Sequence, residues 1–235
     1  TSKINFKDNN TVFDEQGVQF VINPNDEFGL TRAIWFKEKI GATVDVLHVG
    51  EASSDPTLRK ALAIGADKAV RIDTPATDAF VVADQISTYI QANPYDLIIA
   101  GRESIDYNGS MVPGMIAAKC DLAFVNTCVK LEIDGSTASA TREMDGGMEV
   151  LRVELPLIIG SQKGLVEETD LRIPNMRGIM QARQKPLAVV PATESSSKTA
   201  ISSFEKPAPK AAVKLVPADD IDQLIDLLQN EAKVL

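Results

Sequence analysis

Apolar and polar positions follow one pattern up to about residue 120 and another pattern after it. In the first part, short apolar runs of strand length alternate with stretches in which apolar residues recur every three or four positions. The runs predict strands at Val44–Val49, Ala69–Ile72 and Asp96–Ala100. Strands that alternate with helices at this spacing form βαβ units, so the chain is predicted to be an α/β protein with a mostly parallel sheet.

The helices between these strands carry start and stop signals. Asn25 or Asp26 is predicted to cap the first helix, and Gly41 is predicted to end it. Asp55, followed by proline, and Asp78 are predicted to cap the next two helices. The first helix is predicted to bury one face, which holds Phe28, Leu30, Ile34, Trp35 and Ile40.

From Ala123 the pattern becomes one of strands without helices. Turn dipeptides at Asp134-Gly135 and Asp145-Gly146 predict tight connections between antiparallel strands. The fold class therefore adds a late antiparallel β meander to the parallel sheet. The predicted strands are Phe124–Ile133, Ser136–Glu143, Glu149–Leu155 and a buried strand at Leu157–Gly160.

The two ends of the chain are less regular. Residues 1–22 contain turn-like clusters and are predicted to form a hairpin or an extended arm. Residues 191–212 are rich in Pro, Ser, Ala and Lys and are predicted to be an extended arm, followed by a helix at Asp219–Lys233. We therefore predict an α/β nucleotide-binding domain at 1–190, and at 191–235 a linker arm whose helix packs on a partner subunit.

Composition and charge exclude several classes of function. The net charge of −9 argues against nucleic acid as a partner, and no apolar run has the length of a transmembrane helix. Two cysteines do not make a disulfide scaffold, and the single histidine, His48, is interpreted as structural. We expect no metal site, because there is no Cys/His cluster, and no catalytic residue, because no nucleophile lies near a base.

The loop between the strand at Asp96–Ala100 and the helix at Met111–Cys120 is the candidate binding site. The first amides of a helix have no intrahelical acceptor, and the helix dipole favours an anion there. Ligands of parallel sheets bind at the carboxyl ends of strands, where this chain has Gly50 and Gly101. The hypothesis is that the loop binds the phosphate and ribose of a nucleotide. The alternative is an ordinary βα connection that binds nothing.

Five stretches carry a resemblance to a known family. They are Asn23–Glu27, LRKALAIGADKAVRI at Leu58–Ile72, DLIIAGRESID at Asp96–Asp106, REMDGGMEVLRVELP at Arg142–Pro156, and GIMQARQK at Gly178–Lys185. None is unique, but their order and spacing together are specific. The chain resembles the β subunit of electron transfer flavoprotein over nearly its whole length.

The resemblance implies a fold, a role and cofactors. The implied fold is a nucleotide-binding sheet of the adenine nucleotide hydrolase or Rossmann-like type. The implied role is that of an electron carrier, not an enzyme, with FAD held mainly by the α subunit and a structural AMP in the β subunit. The AMP contacts would be Asn23, Pro24, Asn25, Asp26, Val49, Gly50, Gly101, Arg102, Glu103, Ser104, Ile105, Asp106, Tyr107, Asn108, Gly109, Ser110, Met111 and Val112.

The resemblance also implies partners. Residues 161–184, a long connection in the pattern, match the loop with which the family docks into acyl-CoA dehydrogenases, in fatty acid oxidation. An apolar anchor, here Met176, would enter the dehydrogenase. Other implied partners are the α subunit, in a heterodimer, and a quinone-linked or other acceptor, and the implied compartment is the bacterial cytoplasm or the mitochondrial matrix. The recognition residues would be Arg172, Ile173, Pro174, Asn175, Met176, Arg177, Gly178, Ile179 and Met180.

Alternatives stay open at this point. Family members begin with a further strand and loop of the nucleotide site, and the printed sequence begins after the place where these would end. In a flavin-bifurcating relative a second FAD replaces AMP, and such relatives have a Gly-Asp-Thr-Ala-Gln run after the Ile-Asp pair. This chain has Tyr107–Met111 in that place, and the difference favours AMP. A nucleotide hydrolase would need a Gly-rich pyrophosphate loop, which this sequence lacks. The remaining alternative is a non-redox adenine-nucleotide sensor.

Overall fold

The computed structural model describes residues 4–209 and 212–235. Residues 15–201 form one compact unit, and residues 4–14 form a second unit together with residues 202–209 and 212–235. The predicted domain boundary after residue 190 stays a prediction.

Helices and strands occur in the predicted order, with one additional strand and one additional helix near residue 180. The strands are β1 (Phe6–Lys7), β2 (Val12–Phe13), β3 (Asp45–Val49), β4 (Lys68–Asp73), β5 (Leu97–Gly101), β6 (Ala123–Asp134), β7 (Thr137–Met144), β8 (Gly147–Glu154), β9 (Leu157–Ser161) and β10 (Leu187–Pro191). The helices are α1 (Pro24–Ile40), α2 (Asp55–Ile64), α3 (Ala79–Ala92), α4 (Val112–Cys120), α5 (Met176–Ala182) and α6 (Ile221–Asp226).

The larger unit contains two sheets. The first has the order β10-β4-β3, with all strands parallel. The second has the order β5-β9-β6-β7-β8, in which β5, β9 and β6 are parallel and the last three strands form the antiparallel meander. The predicted fold class, a mostly parallel α/β fold with a late meander and a C-terminal helix, is confirmed.

Helix α1 differs from its prediction at its start and in its buried face. It begins at Pro24, with Asn23 in the cap position, because proline already has the backbone angle of a first helical residue. It ends before Gly41, as predicted, with the glycine at φ 75°. Ile40 is exposed, however, and Phe36 is buried in its place.

The reason for this difference is that α1 packs against two cores. Leu30 and Ile34 belong to a cluster with Leu62 of α2, whereas Phe36 packs with Val125 and Leu131 of the second sheet. A helix that buries two faces does not follow the spacing of a single apolar stripe, from which the prediction was made.

Of the caps predicted for the next two helices, one is wrong and one is confirmed. Asp55 does not cap α2: Ser54 stands in the cap position, Asp55 is the first helical residue, and its carboxylate accepts a hydrogen bond from Arg71 instead. Asp78 does cap α3, as predicted, and its Oδ1 accepts the amide of Val81 at 2.8 Å. The other oxygen of Asp78 accepts the amides of Lys198 and Thr199 at 2.6 and 3.0 Å.

Replacing Asp78 with alanine is expected to lower the free energy of unfolding by about 1–2 kcal/mol, because α3 loses its cap. Partial burial acts to raise the pKa of Asp78, but the hydrogen bonds from Val81, Lys198 and Thr199 outweigh it and lower that pKa. The contribution of Asp78 to the unfolding free energy is therefore present above the ordinary aspartate pKa and is lost as pH falls through the lowered pKa of the folded state.

Urea denaturation at pH 7 and at acid pH measures this contribution. The exposed Asp96 provides the control, and its replacement with alanine is expected to change the unfolding free energy by less than about 0.5 kcal/mol. Equal unfolding midpoints for the two variants at pH 7 would contradict the cap assignment.

Strand β10 was not predicted. It runs parallel to β4 at an edge of the first sheet, where a terminal proline, Pro191, is tolerated. Its apolar run is only four residues long, between Pro186 and Pro191, and the sequence pattern did not separate it from the arm that follows.

The smaller unit contains a hairpin and the chain end. Strands β1 and β2 pair as an antiparallel hairpin, and the ring of Phe6 stacks on Phe204 with 4.8 Å between ring centroids. Helix α6 is shorter than the predicted helix at Asp219–Lys233 and continues as one π-helical stretch at Leu227–Glu231. In the part of the chain that the structure describes, no helix is long and apolar enough to cross a membrane.

Candidate functional site

The candidate loop connects the carboxyl end of β5 with the first turn of α4. It lies beside the end of β9, because the amide of Arg102 donates to the carbonyl oxygen of Ser161 at 2.9 Å. The structure therefore places the loop at the carboxyl edge of the parallel strands, where the sequence pattern located it.

The first residues of α1 hold this loop. The carboxylate of Asp26 accepts the amide of Gly101 at 2.6 Å and the side-chain amide of Asn23 at 2.7 Å. The same Asn23 group donates to the carbonyl oxygen of Glu103 at 2.9 Å, and its oxygen accepts the amide of Ile105 at 3.2 Å. Asn25 adds a second donor to Glu103, at 3.0 Å. The three polar side chains at the start of α1 thus make contacts within the protein.

Gly101 and Gly50 are close to other side chains. A Cβ atom at Gly101 would lie 2.8 Å from both Asn23 and Asp26, and one at Gly50 would lie 2.5 Å from the His48 ring. Such distances are too short for a Cβ, so a side chain at either position would displace these polar groups. The ring of His48 contacts Ser54, with 3.0 Å between Nε2 and Oγ.

The backbone amides of the loop fall into two groups. Those of Gly101, Arg102, Ile105, Tyr107 and Asn108 donate to protein acceptors. Within the described residues, no acceptor is found for the amides of the second group. That group contains Glu103, Ser104 and Asp106 and, at the start of α4, the four adjacent residues Gly109, Ser110, Met111 and Val112.

The backbone φ angles around these four amides alternate in sign. Asn108 and Ser110 have φ angles of 48° and 49°, while Met111 has a φ angle of −102°. Alternation of left-handed and right-handed residues is typical of the concave amide clusters, called nests, that bind anions. The helix terminus was predictable from the sequence, but this nest was not, because its only signal was the Asn-Gly-Ser tripeptide.

Two carboxylates set the charge of the site. Burial raises the pKa of Asp26, and the hydrogen bonds from Asn23 and Gly101 offset this only in part. Hydrogen bonds from Ser110 and then Arg102 lower the pKa of Glu103, so that this carboxylate is ionised. The Arg102 guanidinium lies 2.6 Å from Glu103 and balances its charge. The four free amides and the dipole of α4 therefore remain as the attraction for an anion.

Arg71 supports the site but was not identified from the sequence. Its side chain is 5% exposed, and its Nε donates to Asp55 at 2.7 Å. It also donates to the carbonyl oxygen of Gly50 at 3.0 Å and to Asp73. The available signal was an arginine inside the apolar strand β4, because a buried charge needs partners nearby.

The predicted recognition segment contains helix α5, which the sequence pattern did not predict. Asn175 caps this helix by accepting the amide of Gly178 at 2.8 Å. Ile173, Met176 and Met180 are 83%, 75% and 67% exposed, so the segment presents large apolar side chains to solvent. Exposed apolar side chains that are adjacent mark interaction surfaces more often than isolated ones do.

Among the residues that the structure describes, no group of three or more His, Cys, Asp or Glu side chains could hold a metal ion. Cys120 and Cys128 are both free.

Comparison with known proteins identifies the family. The family model for the electron transfer flavoprotein domain matches residues 10–195. The chain is 34% identical to the electron transfer flavoprotein subunit beta of Bacillus subtilis over 94% of its length and 90% of that protein. Identity is 35% to the protein of the same name from Syntrophomonas wolfei, over 99% of this chain and 92% of that one.

A human relative extends the comparison beyond bacteria. The Homo sapiens protein, also called electron transfer flavoprotein subunit beta, is 28% identical over 93% of this chain and 89% of its own length. The region matched by the family model includes both sheets of the larger unit and the loop between β5 and α4. The chain therefore belongs to the electron transfer flavoprotein family, whose beta subunits are electron carriers rather than enzymes.

Proposed function

We propose that this chain is the β subunit of a heterodimeric electron transfer flavoprotein that holds an adenine nucleotide, AMP, in the loop between β5 and α4. The observation that carries the proposal is the group of four adjacent free amides, Gly109 to Val112, at the start of a nine-residue helix. Amides in this arrangement attract the phosphate of a nucleotide.

Different parts of the loop would have different roles. The amides of Gly109–Val112 would bind the phosphate, and Val49 with the neighbouring Gly50 would lie against the rest of the nucleotide. Asn23, Asn25 and Asp26 would act indirectly, because their side chains are hydrogen-bonded to the loop itself. We propose that the role of the nucleotide is structural.

The electron-carrying group would be FAD, held mainly by an α subunit, and it would supply the acceptance and release of electrons. The β chain would contribute position and electrostatics. Its C-terminal helix presents Ile221, Leu224 and Ile225 on an exposed side, which fits packing on another subunit. Residues 172–180 would dock an acyl-CoA dehydrogenase as the donor, with Met176 as the apolar anchor, and a quinone-linked or other protein would be the acceptor.

Replacing Met111 with glutamate tests the nucleotide site. Met111 is 48% exposed and stands in the cap position of α4. The helix dipole favours a carboxylate at this position, so we expect the fold to be retained. The same carboxylate would repel a phosphate, and the affinity for AMP is expected to fall about ten-fold or more. Nucleotide extracted from the purified heterodimer and titration with AMP measure the effect.

Met144 offers a matched control because it is 49% exposed and lies on β7. Met144→Glu is expected to retain AMP at the wild-type level. Absence of adenine nucleotide from the wild-type complex would overturn the proposed site. The flavin content provides a second test, because one flavin per heterodimer supports the proposal whereas two would indicate a bifurcating relative.

A further inference from the structure

A groove of about 710 Å³ lies between α2 and α5, and the predicted recognition segment, which includes Met176, contributes to its lining. Its apolar surface comes from Pro56 and Ala63 on the α2 side and from Pro174 and Ile179 on the other. An open apolar groove of this size is large enough to receive a side chain from another protein.

Close packing of the two helices forms the groove. A Cβ atom at Gly178 would lie 2.4 Å from the carbonyl oxygen of Ala63, so glycine is required where α5 approaches α2. The cap at Asn175 fixes the first turn of α5 above this contact. The groove is therefore a formed feature of two packed helices, not a gap in a mobile loop.

The edge of the groove is basic. Arg59, Lys60 and Arg183 lie along it, and no acidic residue is among its lining residues. Lys60 pairs with Glu27 at 3.0 Å. Among the described residues, the acceptors found for Arg59 are the carbonyl oxygens of Ala182 and Lys185, which do not cancel its charge. For Arg183, no ion pair is found in the described part of the chain.

This positive edge stands out in a chain with a net charge of −9. Acidic proteins repel one another on average, so a local basic patch selects which acidic surface can approach and in which orientation. The apolar floor then needs an apolar group to displace its water. Together these features favour a protein surface in which an apolar side chain is flanked by carboxylates.

We propose that the groove receives such a side chain from the acyl-CoA dehydrogenase partner, so that recognition is reciprocal. Met176 of this chain would enter the dehydrogenase while an apolar side chain of the dehydrogenase enters the groove between α2 and α5. The inference rests on the proposed function, since it names a second contact of the same docking surface.

Two substitutions in the intact heterodimer separate the contributions of charge and shape. Arg183→Glu reverses one edge charge and is expected to slow dehydrogenase-dependent flavin reduction about ten-fold at low salt. This loss should shrink when ionic strength is raised from about 0.05 to about 0.5 M, because salt screens exposed charges. Ala63→Leu fills the groove and is expected to weaken dehydrogenase binding by a similar factor that does not depend on salt.

Stopped-flow reduction and a direct binding measurement with a purified acyl-CoA dehydrogenase provide the readouts. The charge-matched control is Lys130→Glu, an exposed position on β6 in the second sheet, which is expected to behave as wild type. Wild-type rates and binding for both Arg183→Glu and Ala63→Leu would overturn the inference and leave the proposed function standing. If Ala63→Leu instead prevents assembly with the α subunit, that subunit occupies the groove and the inference is wrong. A wild-type complex that neither binds nor accepts electrons from the dehydrogenase overturns both.

Discussion

Replacing Asp26 with alanine is expected to lower the free energy of unfolding by about 2 kcal/mol and to release the loop between β5 and α4. The carboxylate accepts the amide of Gly101 at 2.6 Å and the side chain of Asn23 at 2.7 Å, and both donors would be left without it. An unpaired part-buried donor costs about 1–3 kcal/mol, but removal of a charge from a buried position returns part of this loss.

The pH dependence of the same variant has a definite sign. Burial raises the pKa of Asp26 above that of an unfolded aspartate. A raised pKa means that the stabilisation is complete below the unfolded value, about 4, and is lost as pH rises through the folded value. The difference in unfolding free energy between wild type and Asp26→Ala should therefore be larger near pH 4 than at pH 8.

Urea denaturation of the heterodimer at the two pH values measures both effects, and its nucleotide content reports the state of the loop. Glu27 is the matched control, because it is the next residue of α1 and its ion pair with Lys60 is partly exposed. Glu27→Ala is expected to cost less than about 1 kcal/mol. If Asp26→Ala unfolds like this control and keeps its nucleotide, the carboxylate does not hold the loop.

Local signals were sufficient to predict most of the fold. Gly41 ends α1, Asp78 caps α3, and the Asp-Gly turns join the meander, because each of these depends on a few neighbouring residues. The burial of Phe36 was not predictable in this way, since it depends on strand β6, which begins about 90 residues later. Strand β10 was missed for the same reason, because its pairing with β4 is a long-range contact.

In the candidate site, too, features set by neighbouring residues were predictable and long-range contacts were not. The position of the loop followed from the strand, the glycine and the helix, which are adjacent in the sequence. The roles of Asn23 and Asp26 did not, because their partners Gly101 and Glu103 lie about 80 residues away. The family resemblance named these residues as nucleotide contacts, and the geometry adds that their side chains bind the loop, which is compatible with an indirect role.

Arg71 is the clearest case of a residue whose importance appears only in three dimensions, and replacing it with methionine is expected to cost about 2–3 kcal/mol. Methionine retains the apolar contacts of the side chain but leaves the carbonyl oxygen of Gly50 without its donor. Loss of one partner from a fully buried ion pair costs about 3–5 kcal/mol. Here the side chains of Asp55 and Asp73 are 38% and 55% exposed and regain water, so the loss should be below that range.

The same substitution should also affect the proposed nucleotide site, because Arg71 joins the end of β3 at Gly50 to the first residue of α2. Arg71→Lys keeps the charge but not the planar set of donors, so its unfolding free energy should lie between those of wild type and Arg71→Met. The exposed Arg152 on β8 is the control, and Arg152→Met is expected to change the unfolding free energy by less than about 0.5 kcal/mol. Equal urea midpoints for Arg71→Met and Arg152→Met would mean that the buried guanidinium adds no net stability. Unchanged AMP content in Arg71→Met would mean that the position of Gly50 does not matter to the site.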